Sequence, residues 1–328
     1  MKNWKALVLA GLVFIACWVF LLPISAQLRY EFVTKWGSRG SGENQFDHPK
    51  DVAVDRAGNV YVADGGNNRI QKIDPAGRFW DFASGSVNNP GGVAVNPFGL
   101  LYVADTNNNR ILKLDVNGNI LGEWGTEGTG NGQFKRPVDV AVDSSGNVYV
   151  VEWTNSRVQK FDRDGRYLMK WGKVDRSGMP DVGSGDGEFL TPRNIAVDRS
   201  GNVFVADSGN SRIQKFNSNG RFLAKWPVGV YMSSIYVAVD GAGNVYVSDA
   251  GHYCVHKFNS MGNLIMAWGA EGSDDNRLFY PQGLALDSAN NVYVADASPE
   301  HTCIKKFRPI GMYVRPTTPI RILTPIPR

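Results

Sequence analysis

The segment DVAVDRAGNVYVADGGNNRIQKI that begins at Asp51 returns, with changes, five more times along the chain. Repetition at a near-constant period constrains architecture strongly, because each copy must be one supersecondary unit that hides its apolar face against its neighbours. The acidic residue that ends the Val-Tyr-Val-Ala run, or its equivalent, marks the copies: Asp64, Asp105, Glu152, Asp207, Asp249 and Asp296. Successive subtraction gives spacings of 41, 47, 55, 42 and 47 residues. A four-stranded propeller blade takes about 40–50 residues.

One copy reads as four strands. Val52-Ala53-Val54 forms an inner strand, and Asp55-Arg56-Ala57-Gly58-Asn59 turns it, the Asp bonding its own turn and the Gly free to take positive φ. Val60 to Ala63 and Arg69 to Ile73 follow, and Asp74-Pro75-Ala76-Gly77 turns the chain into a fourth strand. Small residues recur on the inner strand (Ala53, Ala94, Ala141, Ala196, Ala238, Ala285) and rings on the second (Tyr61, Tyr102, Tyr149, Phe204, Tyr246, Tyr293). That alternation of small and large fits facing sheets that interdigitate, so the rings are read as core. The expected fold is all-β: a six-bladed β-propeller with four antiparallel strands per blade.

Four fourth strands end in a tryptophan six residues after the turn glycine: Trp124, Trp171, Trp226 and Trp268. The last copy has none after Gly311, whereas YEFVTKWG ahead of the first copy is a fourth strand without a blade. The N-terminal strand is therefore expected to complete the last blade and leave the ring without a free edge.

Lys2 and Lys5 precede an apolar run from Ala6 to Leu22, which is read as a signal peptide or membrane anchor over 1–26. Basic residues before the run place the remainder outside the cytoplasm, secreted or anchored through that segment. Domains are then 1–26, a propeller over 28–311, and a proline-rich tail over 312–328. A net charge of +4 without a basic stripe argues against nucleic acid as a partner, and a monomeric propeller is expected.

The pattern WGSRGSGENQFDHPKDVAVDRAGNVYVADGGNNRIQKID resembles the NHL repeat, over about Tyr30 to Gly311. The resemblance implies relatives of several kinds: extracytoplasmic sensor propellers, RNA- or protein-binding propellers of tripartite-motif proteins, and peptidyl-hydroxyglycine amidating lyase. In the lyase family a histidine after the strand-opening proline ligates zinc. Here Pro49, Pro90, Pro137, Pro192 and Pro281 are followed by Lys50, Gly91, Val138, Arg193 and Gln282. A calcium-dependent lactonase-like hydrolase would draw oxygen ligands from Asp51, Asp139 and Asn194. The reading favours a protein- or ligand-binding or sensor module with no catalytic residues and no required cofactor; the alternative is a metal-dependent lyase or hydrolase acting at the channel mouth.

Strand direction puts the second-to-third loops and the start of each inner strand on one face, which carries most departures from the repeat. Candidate ligand-binding residues there are Lys50, Asp51, Asp139, Trp153, Arg193, Asn194, Tyr236 and Gln282, a polar ring suited to a peptide or small polar ligand. A water-filled funnel is the plainer alternative, and Trp153 either anchors a partner or packs on its neighbouring loop. Blades one to four open the third strand with Arg69, Arg110, Arg157 and Arg212, but blades five and six have Cys254 and Cys303 there. His252, His256 and His301 accompany them, and His252, Cys254 and His256 share a side. A disulfide between Cys254 and Cys303, a zinc-type site, and two unrelated residues all remain open.

Overall fold

The computed structural model describes residues 29–228, 234–298 and 302–311. The expected leader over 1–26 and the tail over 312–328 lie outside the described residues. Among the described residues no helix is long and apolar enough to cross a membrane.

The unit Tyr30–Pro309 contains six four-stranded sheets, one per repeat. Blade one runs Pro49–Val54, Val60–Asp64, Arg69–Ile73 and Phe79–Asp81, each strand antiparallel to the next. Its hairpin forms because Asp55 Oδ1 accepts the Ala57 and Asn59 amides at 2.9 Å each, while Gly58 sits at φ 85°. The inner strands Pro49–Val54, Gly92–Val95, Pro137–Val142, Asn194–Val197, Ile235–Val239 and Pro281–Leu286 pack in a ring that closes on itself.

The second-strand rings are core, from Tyr61 to Tyr293 no more than 2% exposed. Most hydroxyls find a hairpin carboxylate: Tyr149 donates to Asp143 at 3.1 Å and Tyr293 to Asp287 at 3.1 Å. Closure by the N-terminal strand also holds. The last blade orders Pro281–Leu286, Val292–Asp296, Cys303–Ile310 and then Arg29–Trp36. Tyr30 stacks on Trp268 with centroids 4.3 Å apart and meets the Tyr246 hydroxyl at 3.0 Å, so the closing strand is keyed into blade five as well.

Candidate functional site

The repeated acid-arginine pairs are structural. In blade three Glu152, fully buried, accepts Arg157 Nε, and Arg157 donates onward to the carbonyls of Thr129, Gly130 and Gln133 in the loop entering the blade. Gln159 adds a bond to Gln133 O at 2.7 Å. Blades one and four repeat this on the loops at Ser41 to Gln45 and Ser184 to Glu188. One arginine thereby ties each glycine-rich loop at three carbonyls, beside the asparagine and glutamine side chains that bond the same loop.

At the channel mouth the structure brings together seven of the eight expected ligand-binding residues. Their polar atoms are partly consumed in joining blades. Asp51 Oδ2 accepts the Val93 amide at 3.0 Å, Asp139 Oδ2 accepts the Ile195 amide at 2.8 Å and Asn194 Nδ2 at 2.6 Å, and Asn194 Oδ1 accepts the Val237 amide at 2.7 Å. Tyr236 donates to Gln282 Oε1 at 2.9 Å. Each bond runs from one inner strand to the next, so these buried side chains act as the hub of the ring. Blades two and six have glycine here for a steric reason. A Cβ on Gly92 would lie 1.9 Å from Asp139 Oδ1, and one on Gly283 would lie 2.1 Å from Asp51 Oδ1. The oxygen set expected for calcium is thus largely engaged, and it falls short of the six to eight ligands that ion takes.

Asp51 and Asp139 are neighbouring buried carboxyls that line a channel of about 220 Å³. Burial pushes Asp51 up to about 7 and, with the charge of Asp51 added, holds Asp139 well above the carboxylate range. Asp139 Oδ1 has no donor, as suits the oxygen that carries a shared proton. Both groups are raised on folding, so the stability they contribute is complete below the unfolded carboxylate range and falls as pH rises, the part from Asp51 being lost through about 7. An Asp139→Asn chain keeps the acceptor for Ile195 and offers Asp51 an amide donor. From pH 5 to 8 its melting temperature is expected to fall less than that of the parent, by roughly 3 °C or more. Parallel profiles would show that the pair shares no proton.

Above the carboxyls stand three cations. Lys50 Nζ donates to Asn89 Oδ1, and burial, with the charges of Arg136 and Arg193, pushes its ammonium down to about 8. None of the three has a carboxylate ion-pair partner among the described residues. Trp153 is the eighth expected residue, and it packs on its neighbouring loop: the Arg136 guanidinium lies over its ring at 4.8 Å. Arg136 itself was not among the sequence candidates. Its signal was the place just before a strand-opening proline, where His48, Asn89, Arg136 and Thr191 all take positive φ, between 45° and 53°. That left-handed kink turns the preceding loop toward the mouth.

Blades five and six correct one sequence expectation. Cys254 stands across its blade from Asp249 and Cys303 across its own from Asp296, and no disulfide joins the two sulfurs. Each is a buried neighbour of its own blade's acid, and that separates them. In blade six Lys305 takes the arginine's part, 3.2 Å from Asp296 Oδ2 and bonded to Asp274 O at 3.0 Å. Burial, then the Asp296 charge, raises the Cys303 thiol to about 11. In blade five His252 Nδ1 lies 2.7 Å and His256 Nε2 3.3 Å from Asp249 Oδ2, with Cys254 Sγ 3.3 Å from His256 Nε2. His301 lies outside the described residues.

The model of the NHL repeat matches residues 46–73, 87–114, 134–161 and 189–216, which are the first four blades. This chain carries four NHL repeats. The NHL propeller is similar to protein lin-41 of Caenorhabditis elegans, 51% identical over 43 residues, which is 13% of this chain and 4% of that protein. It is similar in structure to a streptogramin B lyase, with a TM-score of 0.59 and 12% identity over 86% of this chain and 98% of that one. A gluconolactonase from Xanthomonas campestris gives 0.60 and 13% over 87% and 98%. At such identities these two structures share the fold alone. The NHL matches stop before blades five and six, where the arginine has become cysteine.

Proposed function

We propose that this NHL propeller is a binding module whose channel mouth holds an anionic group, the carboxylates of an acidic segment on a partner protein. The observation that carries the reading is the convergence of Lys50, Arg136 and Arg193 with no carboxylate ion-pair partner among the described residues. Unpaired cations grouped on one concave surface attract the opposite charge and orient it. Catalysis has less support, because the mouth carboxyls are bonded to backbone amides of the neighbouring inner strands. The location we propose is outside the cytoplasm, on the strength of Lys2, Lys5 and the apolar run after them.

Titration with hexaglutamate, followed by tryptophan fluorescence, tests this. Trp153 lies under Arg136, so a ligand that draws the guanidinium away changes its emission. Saturable binding that weakens severalfold between 20 and about 200 mM salt is expected. Equal binding of hexalysine, or no saturable change, would refute the reading.

A further inference from the structure

We infer that blade five binds a divalent transition-metal ion of the zinc class through Asp249, His252, Cys254 and His256. This site lies at the second-to-third loop of one blade and is independent of the channel mouth.

In blades one, three and four the buried acid is contacted by an asparagine three residues on, an arginine five on and a glutamine seven on. Blade five keeps the acid, and Asp249 is fully buried like its counterparts. All three contacting positions have changed, to His252, Cys254 and His256. Each replacement is a metal ligand, and all three sit where the blade already points side chains at one carboxylate.

Geometry agrees for Asp249, His252 and His256, and Cys254 Sγ, which lies outside that trio, would close on the ion from beside His256. The ligating atoms of Asp249, His252 and His256 all lie within 4.8 Å of one another. A tetrahedral ion with bonds of about 2.0–2.3 Å holds its ligands about 3.3–3.8 Å apart. His256 Nε2 is 3.3 Å from both Asp249 Oδ2 and Cys254 Sγ, already at that spacing. His252 Nδ1, at 2.7 Å from the carboxylate, would move outward by less than an ångström, and its side chain is 47% exposed and so has room.

Charge and ligand type narrow the ion. In the other blades arginine, or Lys305 in blade six, answers the buried carboxylate. A dication among these ligands would supply that positive charge in blade five. Two imidazoles, one carboxylate and one thiolate suit zinc and its neighbours and exclude calcium or magnesium as preferred ions. Binding releases the thiol proton, so affinity rises with pH. The half-exposed His252 leaves the ion reachable from solvent.

The test uses the full chain without an affinity tag, made metal-free by chelation and re-loaded with Zn²⁺ or Co²⁺. About one equivalent of zinc per chain is expected by mass spectrometry, with a rise in melting temperature on loading. The cobalt form should show visible tetrahedral bands and a near-ultraviolet thiolate charge-transfer band that Cys254→Ser removes. His252→Asn and His256→Gln restore the residues of blades one and four; each should weaken zinc binding at least about tenfold while leaving the metal-free melting temperature within a few degrees. Substoichiometric zinc, or zinc binding unchanged in both histidine variants, would overturn the site. A cobalt spectrum without the thiolate band would remove Cys254 and overturn the four-ligand assignment.

Discussion

A chain lacking the closing strand Arg29–Trp36 is expected to show no cooperative native state at 25 °C. Three of its side chains enter the last two blades: Tyr30 on Trp268 and Tyr246, Phe32 against Phe307, and Trp36 stacked with Tyr293 at 6.2 Å. Aromatic residues bury about 150–250 Å² each. At about 25 cal/mol per Å² the three together contribute on the order of 10 kcal/mol, the size of a whole domain's stability. The deletion also bares the edge of the strand Cys303–Ile310 and invites pairing with other chains. Near-ultraviolet circular dichroism on heating checks this, and a truncated chain that melts within about 2 °C of the parent contradicts it. A milder form of the same result is Tyr30→Ala, for which a loss of about 3–5 kcal/mol is expected.

The second large effect is expected from Arg157→Met. Arg157 is 3% exposed and Glu152 fully buried, and burial pushes Glu152 up even though Arg157 pulls it down. Removing the guanidinium takes the countercharge from Glu152 and the donor from Thr129 O, while Glu152 keeps Asn155, Gln159 and the Lys135 amide, Gln133 O keeps Gln159 and Gly130 O keeps the Gln133 amide. Breaking one side of a buried pair costs about 3–5 kcal/mol, because the remaining charge stays desolvated. Denaturant unfolding measures this directly. The Glu152→Gln/Arg157→Met chain should recover part of the loss, since the orphaned charge goes with the pair. A single variant that loses under about 1 kcal/mol would mean that the arginine is replaceable by water.

What the repeat made legible is local. Turn chemistry, strand order and the missing tryptophan after Gly311 all lie within one period, and each told the same story as the fold, ring closure included. The hub was half legible. Asp51, Asp139 and Asn194 stood out as departures from the repeat, but their bonds to Val93, Ile195 and Val237 cross 42 to 56 residues of sequence and nothing local announces them. Read from the sequence they were open ligand groups, whereas in the structure they first hold blade to blade. Arg136 escaped for a different reason: its position is variable in every copy, so no rule was broken there. Asp249 escaped because it follows the rule. It is the constant acid of the repeat, and only the three altered residues around it change what it can do.

The three mouth cations, Lys50, Arg136 and Arg193, are the proposed ligand site. Calorimetric titration of hexaglutamate into the parent and into a Lys50→Met/Arg193→Met chain tests it most directly, with melting curves run alongside. Both side chains are partly exposed at the mouth, so the variant is expected to fold as the parent does. Its affinity should fall about tenfold or more, since every tenfold step is only about 1.4 kcal/mol. In the parent, binding should also weaken as pH rises through about 8, where Lys50 gives up its proton. A folded variant that binds hexaglutamate as tightly as the parent would contradict the account.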